Sequence, residues 1–404
     1  MTITFQVPEL QKRLGQLVAV IARTSQEALY VSVRIFSNAA GVVFLQGADV
    51  DSTLTLKLPT AVADGQANVL LEYSRLNNIV QKMNTPTALL TLTGETEAIL
   101  TSGRSRARLA CLPTSPFTNL SVVSSIPSDE ELALGGGIKF PLPGLKEQIE
   151  QVYFTVPKQH SKYVAAAALL AASDNTLRIA GTDGKMLGLS AVNTEVSFPP
   201  MTIPKQALDL LNKLDGGAGN IVTIFDTENL LTFSTDGELL TYGKSHAEFP
   251  PYERIIPKTG SHTLAITLKD KTAFIKALEQ IRPSCFGDLK SIVFSVTGTN
   301  ELTITAVKID KQATGDVFTD MADEVVDAEI VGTPVKFQLD IDRILPYANA
   351  AVFPMSLYVK DSSSPVDVHA NSGTPDKQTY RFVLMPMRLE GGASSVPLPL
   401  PASK

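Results

Sequence analysis

The residues that could carry out acid–base or metal chemistry are few and are spread along the chain. Two aspartates, Asp49 and Asp183, occupy similar places in the segments Gly47-Ala48-Asp49 and Gly181-Thr182-Asp183. An aspartate in such a segment is typical of a turn, so a turn role is favoured over an acid–base pair. No two histidines have the spacing of metal ligands; they are His160, His246, His262 and His369.

Two glycine-containing segments have the composition of phosphate-binding loops but the wrong context. Gly243-Lys244-Ser245 has its nearest upstream glycine at Gly237, which is the wrong spacing, and it follows strand-like sequence without opening a helix. Gly216-Gly217-Ala218-Gly219 follows a predicted helix, whereas a dinucleotide-binding loop precedes one. The second segment is typical of a helix C-cap and turn. We therefore predict no catalytic residue, no metal and no cofactor.

The elements around these segments repeat three times. Three helices carry apolar residues at positions i, i+3, i+4 and i+7, at intervals of about 130 residues. One such stripe is common in globular proteins, but three in matching places indicate a triplicated domain. The stripes are Leu76, Ile79, Val80 and Met83; Ala207, Leu210, Leu211 and Leu214; and Ile341, Ile344, Leu345 and Ala348.

The pattern predicts an α+β fold in which each repeat has two helices packed on antiparallel sheets. Between the helices lie runs rich in β-branched residues and bounded by turn formers, such as Leu29 to Phe36 and Ile221 to Ile224. Pro346 lies inside the last helix and should kink or shorten it. The six helices are predicted over 8–23, 72–84, 142–153, 204–215, 268–282 and 340–351.

Composition indicates a soluble globular protein. Hydrophobic residues make up 44% of the chain and charged residues 19%. We predict a cytoplasmic location, because no apolar run is long enough for a membrane span and the N-terminus has no signal-peptide pattern. Cys111 and Cys285 lie in different repeats, and we expect both to be packed free thiols in a reducing compartment.

The distribution of charge is more informative than its total of −6. The six predicted helices hold 13 Lys and Arg against 10 Asp and Glu, so the rest of the chain carries the negative excess. A basic helical layer in an acidic body could face phosphates on one surface and repel them elsewhere. A difference of this size could also arise by chance.

The repeat and its linkers predict domain boundaries. Residues 125–137 are polar, acidic and end in three glycines, which is typical of a flexible linker. Residues 390–404 are proline-rich and have no apolar pattern that could join a core. The predicted domains are 1–124, 138–258 and 259–389.

Four motifs occur in a fixed order along this repeat. They are Ser102-Gly103-Arg104-Ser105-Arg106, Gly181 to Leu187 (GTDGKML), Phe249 to Pro257 (FPPYERIIP) and Val383 to Leu389 (VLMPMRL). In this order, up to Leu389, the chain resembles the beta subunit of bacterial DNA polymerase III, the sliding clamp family. The resemblance implies three tandem clamp domains and a head-to-tail homodimer, a closed ring with sheets outside and twelve helices around double-stranded DNA. It also implies a non-catalytic processivity factor of DNA replication.

The resemblance implies a hydrophobic cleft that binds peptides of the replicative polymerase, the clamp loader and other DNA-processing proteins. Adaptable methionines, rigid prolines and an arginine suit an extended peptide. For Leu187 alone, plain core packing is the favoured interpretation. The implied cleft residues are Ala165, Thr182, Gly184, Lys185, Met186, Leu187, Pro250, Arg254, Ile255, Val383, Met385, Pro386, Met387, Arg388 and Leu389.

DNA contacts are expected to be sequence-independent, because tight base contacts would stop a sliding ring. The family's DNA-facing positions fall on Arg23, Lys158, Gln159, Lys162 and Tyr163. Helix geometry adds further cations, of which Lys82 and Lys213 occupy matching positions on their stripes. The additions are Lys12, Arg75, Lys82, Lys205, Lys213, Lys276 and Arg343.

The sequence departs from the family at the cleft and at the implied subunit contact. Ala165 stands where the family usually has a leucine, and Lys185 and Met186 replace a His/Arg-type pair. Polar Glu279 and Gln280 replace an apolar pair, so we expect a dimer that is sensitive to salt. The predicted dimer contact is Arg104, Arg106, Ala107, Leu109, Glu279, Gln280 and Ile281.

Two alternatives to a clamp stay open from the sequence alone. One is a nucleic-acid-processing hydrolase with an Asp and His site that no motif reveals. The other is a clamp-like paralogue whose departures at the cleft give it different partners.

Overall fold

The computed structural model describes residues 1–22, 24–124, 137–159, 161, 164–216, 219–244, 249–258, 260–286, 290–297, 300–312, 315–371 and 378–387. The α-helices are α1 (Val7–Leu17), α2 (Tyr73–Val80), α3 (Ser115–Thr118), α4 (Ser121–Ser124), α5 (Leu142–Tyr153), α6 (Lys205–Leu211), α7 (Lys271–Ile281) and α8 (Ile341–Ala350). Single 3-10 turns span Ala28–Val31, Tyr252–Ile255 and Arg282–Ser284.

The strands follow the threefold plan. Those of the first repeat are β1 (Thr2–Gln6), β2 (Ser32–Ser37), β3 (Val43–Ala48), β4 (Ser52–Leu58), β5 (Val62–Ala63), β6 (Asn68–Glu72), β7 (Thr87–Leu92), β8 (Glu97–Ser102) and β9 (Ser105–Leu112). Those of the second are β10 (Ile138–Pro141), β11 (Ala167–Ser173), β12 (Thr176–Thr182), β13 (Met186–Asn193), β14 (Phe198–Pro204), β15 (Ile221–Asp226), β16 (Leu230–Thr235) and β17 (Glu238–Gly243). Those of the third are β18 (Leu264–Leu268), β19 (Ser291–Val296), β20 (Glu301–Gln312), β21 (Gly315–Asp327), β22 (Glu329–Gly332), β23 (Phe337–Asp340), β24 (Met355–Val359), β25 (Val366–Asn371) and β26 (Gln378–Leu384).

Each repeat builds two four-stranded antiparallel sheets, and one helix follows the first strand of each. In the first repeat the orders are β6-β2-β3-β4 and β1-β7-β8-β9. The second repeat has β14-β11-β12-β13 and β10-β15-β16-β17, and the third has β23-β19-β20-β21 and β18-β24-β25-β26. The short strands β5 and β22 extend two of these sheets. The predicted α+β fold is confirmed.

The chain forms two compact units. The first comprises Met1–Lys146 and Gln206–Ser245 and holds a 13-stranded sheet. The second comprises Glu147–Lys205 and His246–Lys404 and holds a nine-stranded and a four-stranded sheet. Strands of different repeats pair inside each unit, so the unit boundaries do not follow the predicted domain boundaries. The three-domain division stays a prediction.

Two pairings of this kind join consecutive repeats, and they have the same register. In the first joint, β4 pairs with β17 and sets Leu54 opposite Leu240. In the second joint, β13 pairs with β26 and sets Gly188 opposite Phe382. Leu54 and Gly188 are equivalent, because each lies opposite the glycine of its Gly-x-Asp segment, Gly47 or Gly181.

Gly47 and Gly181 leave no room for a side chain, because other side chains pack directly against their Cα atoms. After Leu17 the chain tightens, and the N–H groups of Ala19 and Val20 bond to carbonyls three residues earlier at 3.3 and 3.0 Å. Ile21 then returns to the core, where a Cβ on Gly47 would lie 2.8 Å from its Cγ1. A Cβ on Gly181 would lie 2.8 Å from Val156 Cγ2. The first helix therefore ends at 17, and its predicted extension to 23 is wrong.

The remaining helices agree better with the sequence. Helix α5 spans the predicted 142–153, and the others are shorter than predicted by a few residues. Helix α8 continues through Pro346 to Ala350, so Pro346 does not end it, and the alternative of a kink stays a prediction. A proline there removes one N–H that would bond to the carbonyl of residue 342, which costs a single helical bond.

Candidate functional site

The turn between β12 and β13 is held by its own side chains. The Asp183 carboxylate accepts hydrogen bonds from the backbone N–H of Lys185 at 2.8 Å and of Met186 at 2.9 Å. The Thr182 hydroxyl donates to the carbonyl of Met186 at 2.6 Å and accepts from Gly184 N–H at 3.1 Å. Gly184 has a φ of 85°, which glycine adopts without strain. The predicted turn role of Asp183 is confirmed.

Residues from three of the four sequence motifs meet beside this turn. Leu187 lies opposite Val383 across the second joint, and Met385 N–H donates to the carbonyl of Lys185 at 3.0 Å. These side chains pack with two residues of the 3-10 turn, Tyr252 and Ile255. We call this group the cleft cluster: Ala180, Leu187, Tyr252, Ile255, Val383 and Met385.

The cleft cluster is closed in this structure. Leu187 is 1% exposed, Met385 is 6% exposed and Met387 is 2% exposed. The core-packing interpretation of Leu187 is therefore supported, and the two methionines have little free surface. Tyr252 is buried too, which raises its pKa to about 12.

The accessible apolar surface lies around the cleft cluster. Four half-buried side chains pack against it, and the exposed Arg254 guanidinium lies in the same 3-10 turn. The predicted cleft omitted these four, although two of them lie in the Phe249 to Pro257 motif and the alternation along β11 and β13 carries the signal for the other two. They form the cleft rim: Leu169, Leu189, Phe249 and Ile256.

The other predicted cleft residues divide by burial. Met186 packs in the large core of the second unit rather than in the cleft cluster. Lys185 is partly exposed. Arg388 and Leu389 lie outside the described residues. The buried members are Ala165, Thr182, Gly184, Pro250 and Pro386.

Arg343 belongs to the turn rather than to a phosphate-facing surface. Its Nη1 donates to Asp183 Oδ2 at 2.7 Å, and its Nε lies 3.3 Å from Asp340 Oδ2. Its side chain is 17% exposed. Asp340 also caps α8 by accepting from Asp342 N–H at 3.1 Å, and burial raises the pKa of Asp340. The geometry does not favour the predicted DNA contact of Arg343, because two carboxylates already pair with its guanidinium group.

Two more predicted DNA contacts are engaged elsewhere. The Lys205 ammonium donates to the carbonyls of Tyr153, at 3.1 Å, and Val156, and lies 4.2 Å from the centre of the Tyr153 ring. Lys12 is exposed but forms an ion pair with Asp215.

The remaining predicted DNA contacts that the structure describes are exposed. Arg75 is one of them and donates to the carbonyl of Arg108 at 3.1 Å. Four lysines have no ion pair within the part of the chain that the structure describes: Lys82, Lys158, Lys213 and Lys276. Gln159 is exposed, and Arg23, Lys162 and Tyr163 lie outside the described residues.

Lys82 and Lys213 have the same local structure. Each lies two residues after its helix ends, at Val80 or Leu211. Each backbone N–H bonds to a carbonyl three residues earlier, at 3.2 Å for Lys82 and 2.9 Å for Lys213. A cation at this end of a helix interacts favourably with the helix dipole, so the charge of both lysines is favourable at these positions.

Two strand edges carry opposite charge. One edge of β9 has no partner among the described strands from residue 105 to 110, and Arg106 and Arg108 are exposed there, with Arg104 exposed in the turn before it. The far edge of β21 has no partner among the described strands. The described side chains of β21 include four acids and no base, a signal that sequence reasoning missed. The acids are Asp320, Asp323, Glu324 and Asp327.

The other residues of the predicted dimer contact vary in exposure. Leu109 and Ile281 are buried within the chain, so their side chains support the surface without forming it. Glu279 and Gln280 are exposed on α7, which lies beside β21, and Ala107 is half-buried on β9.

The described residues were predicted to hold no metal ion. None of their His, Cys, Asp and Glu side chains cluster in threes that could hold a metal ion. Lys244 forms an ion pair with Asp226, and Gly216 has the φ of 75° expected of a helix C-cap. His160, His246, Ser245, Gly217 and Ala218 lie outside the described residues. No helix in the described ranges has the length and apolar character needed to cross a bilayer.

Comparisons with known proteins give a consistent result. Residues 140–251 match the family model described as the DNA polymerase III beta subunit, central domain. The chain is 26% identical over 298 residues to the beta sliding clamp of Salmonella typhimurium, covering 72% of this chain and 74% of that one. It is 21% identical over 392 residues to the beta sliding clamp of Pseudomonas putida, covering 96% and 100%.

Solved structures show the same fold. The DNA polymerase sliding clamp of Bacillus subtilis superposes with a TM-score of 0.81 at 17% identity, covering 96% of this chain and 99% of that one. The DNA polymerase III subunit beta of Pseudomonas aeruginosa gives 0.80 at 20% identity, covering 96% and 100%.

Proposed function

The chain belongs to the beta-subunit family of bacterial DNA polymerase III, the sliding clamps, and on that premise we propose how its parts perform this role. Two copies form a ring around duplex DNA and tether replication proteins to it. The role is non-catalytic and would be performed in the cytoplasm. The alternative of a hydrolase is not favoured, because the relatives are sliding clamps.

The ring is supported by a pattern of three equivalent strand pairings, of which the chain forms only two by itself. The first and second joints connect three repeats within one chain, and a third joint of the same kind would pair β21 with β9. Neither edge pairs with another described strand of the same chain, so both are available to a partner. Two copies joined head to tail would pair all these edges and close the ring, because closed symmetric assemblies leave no edge free.

The register of the third joint can be derived from the first two. Ala322 lies opposite Ala306, which is equivalent to Gly47 and Gly181, so Ala322 is equivalent to Leu54 and Gly188. Ala107 is equivalent to Leu240, because each lies in its hairpin two residues after the residue that closes the turn, Ser105 or Glu238. The third joint would therefore set Ala322 opposite Ala107 of a second copy.

This register matches opposite charges. Counting along the strands, Asp323 would lie opposite Arg106, as Thr55 lies opposite Leu239. Across the bulge at Ala306/Val307, Asp320 would lie opposite Arg108. Each such pair contributes on the order of 0.2–1 kcal/mol. Met321 and Val325, which are 42% and 57% exposed, lie on the same strand and would lose exposure in the contact.

DNA would be held by topology more than by affinity. Lys82, Lys158, Lys213 and Lys276 are the best-supported phosphate contacts, because their ammonium groups are exposed and have no ion pair among the described residues. Four such charges on an acidic chain give weak, salt-sensitive attraction. Loading would then need a separate clamp loader to open the ring.

Partner proteins would bind at the cleft rim with a short peptide. Arg254 would hold a carboxylate or carbonyl, and the rim residues would cover an apolar side chain. Burying one such side chain contributes roughly 1.5–3 kcal/mol. Single peptides would therefore bind weakly, and a whole polymerase would gain from engaging both clefts of a dimer.

Retention on DNA tests the ring directly. The protein would be loaded on a nicked circle by a clamp loader, washed with high salt, and then released by cutting the circle. Survival of the wash and loss after linearisation are expected. Equal salt sensitivity on circular and linear duplex would overturn the ring.

A further inference from the structure

A second cavity lies in the second unit, apart from the cleft cluster. It has a volume of about 250 Å³ and lies between the chain segment that enters β18 and the strands β24, β25 and β26. Its lining is more strongly charged than that of the cleft cluster, because it includes Lys258, Lys360, Asp367 and Arg381. We call it the connector pocket.

Three rings form one wall of the connector pocket. The Tyr358 ring centre lies 4.7 Å from that of His262 and 4.9 Å from that of His369. Two prolines, Pro257 and Pro365, add apolar surface. Such a wall can receive a planar ring by stacking or edge contact.

The charges of the pocket separate into a closed pair and two free ammonium groups. Arg381 donates to Asp367 twice, from Nε to Oδ1 at 2.8 Å and from Nη2 to Oδ2 at 2.6 Å. Arg381 Nη2 also donates to the carbonyl of Pro257 at 3.0 Å. Lys258 and Lys360 are exposed and have no ion pair among the described residues, so their two positive charges are uncompensated.

We propose that the connector pocket binds a small phosphomonoester that carries a planar ring, of the nucleoside monophosphate type. A phosphomonoester has a charge of about −1.5 to −2 at neutral pH and three acceptor oxygens, which matches two lysines. Lysine is a common phosphate binder as a point charge. The volume of about 250 Å³ lies just below the usual range of about 300–1,000 Å³ for ligand pockets, so the pocket suits a ligand no larger than about one nucleotide.

This inference goes beyond the clamp function and does not depend on it. None of the predicted cleft, DNA or dimer residues lines the pocket. The whole lining also belongs to one compact unit, so the binding site would be complete in a single chain.

Calorimetry on the full chain at constant ionic strength tests the proposal, with AMP, inorganic phosphate and adenosine as probes. AMP should bind at least about tenfold more tightly than either other probe, because only AMP offers both the ring and the charge. The variant Lys258→Ala/Lys360→Ala should lower AMP affinity at least about tenfold, and Lys269→Ala/Lys336→Ala, which removes two exposed lysines elsewhere in the same unit, should not.

A third variant examines the ring. His262→Ala should weaken AMP severalfold and leave inorganic phosphate unchanged, since His262 is exposed and its loss removes only a ring wall. No binding of AMP up to roughly 10 mM would overturn the proposal. Equal binding of AMP and phosphate, or equal losses in both lysine variants, would overturn it too.

Discussion

The first and second joints have the same strand register and differ in the polarity of their side chains. In the first joint Thr53 lies opposite Thr241, and in the second joint Leu187 lies opposite Val383 at the equivalent places. All four side chains are buried. The threonines give the first joint a polar interior, in which Thr241 shares a hydrogen bond of 3.2 Å with Thr232. The second joint has two apolar side chains at that place.

The segments that cover the joints differ in the same direction. Helix α4 lies against β4 and β17 in the first joint, where Phe117, Val122 and Val123 are buried. In the second joint, the covering turn leaves Phe249 and Ile256 half-buried and Arg254 exposed. Strand pairing alone therefore does not account for the peptide site that we propose at the second joint. The proposal depends on apolar residues that the covering segment leaves partly open to a ligand.

The third joint is where we expect the largest effect. Reversing two charges with Arg106→Glu/Arg108→Glu should raise the dimer dissociation constant at least about 100-fold, because each copy of the contact replaces two attractive pairs by repulsive ones of on the order of 1 kcal/mol. Light scattering should then report the 43.3 kDa monomer. The same result is expected for Asp320→Arg/Asp323→Arg.

Mixing the two charge-reversed variants provides the matched control. Both contacts of the mixed ring would pair opposite charges, one with the signs exchanged and one unchanged, so a species of twice the chain mass should reappear. If both variants formed dimers as stable as the wild type, the third joint would not have the register of the first two.

The cleft rim should give the next largest effect. Arg254→Ala/Ile256→Ala removes an exposed charge and a half-buried side chain, so we expect partner-peptide affinity to fall roughly 10- to 100-fold. Fluorescence anisotropy with a labelled clamp-binding peptide measures this. Asn119→Ala, an exposed change beside the first joint, is the matched control and should have no effect.

Alanine at Met385 and Met387 is a poorer test of the same idea. Both side chains are buried, so each substitution should lower the free energy of unfolding by about 2–5 kcal/mol. Unchanged peptide binding by the Arg254 and Ile256 variant, at unchanged melting temperature, would place the partner surface elsewhere.

The two Gly-x-Asp turns allow a smaller, internal comparison. Arg343→Ala removes a charged hydrogen bond from Asp183 and should lower the free energy of unfolding by about 1.5–3 kcal/mol. Asp49→Asn, in the equivalent turn, removes no ion pair among the described residues and should change it by less than about 0.5 kcal/mol. Urea denaturation measures both, and equal effects would show that Arg343 does not hold its turn.

The cysteines should give the smallest effect. Burial raises the pKa of Cys285 to about 11, and burial also raises the pKa of the half-buried Cys111. The thiol form of Cys285 thus stabilises the folded state below pH 9, and this contribution is lost as the pH rises towards 11. Mass spectrometry after iodoacetamide at pH 8 should show Cys285 unmodified until urea unfolds the protein, with Cys111 reacting first. Rapid modification of native Cys285 would contradict this.

Much of the fold was predictable because its signals are local. A stripe such as Ile341, Ile344, Leu345 and Ala348 is buried as expected, since helix periodicity fixes which side chains share a face. The alternation of β-branched residues likewise marked the strands. Helix ends were predicted less well, because the end of α1 depends on the space that Gly47 leaves for Ile21.

The sequence by itself determined the threefold repeat, the α+β class and the motifs of the cleft, because periodicity and motif order are properties of the chain. Only the tertiary structure decided which strands of different repeats pair, and with what register. It also assigned Arg343 to Asp183, 160 residues away along the chain, and left an arginine edge and an acidic edge unpaired. The reason is physical: hydrogen-bonded edges and buried charges are satisfied by whatever the fold brings near them, and local sequence does not encode that neighbour.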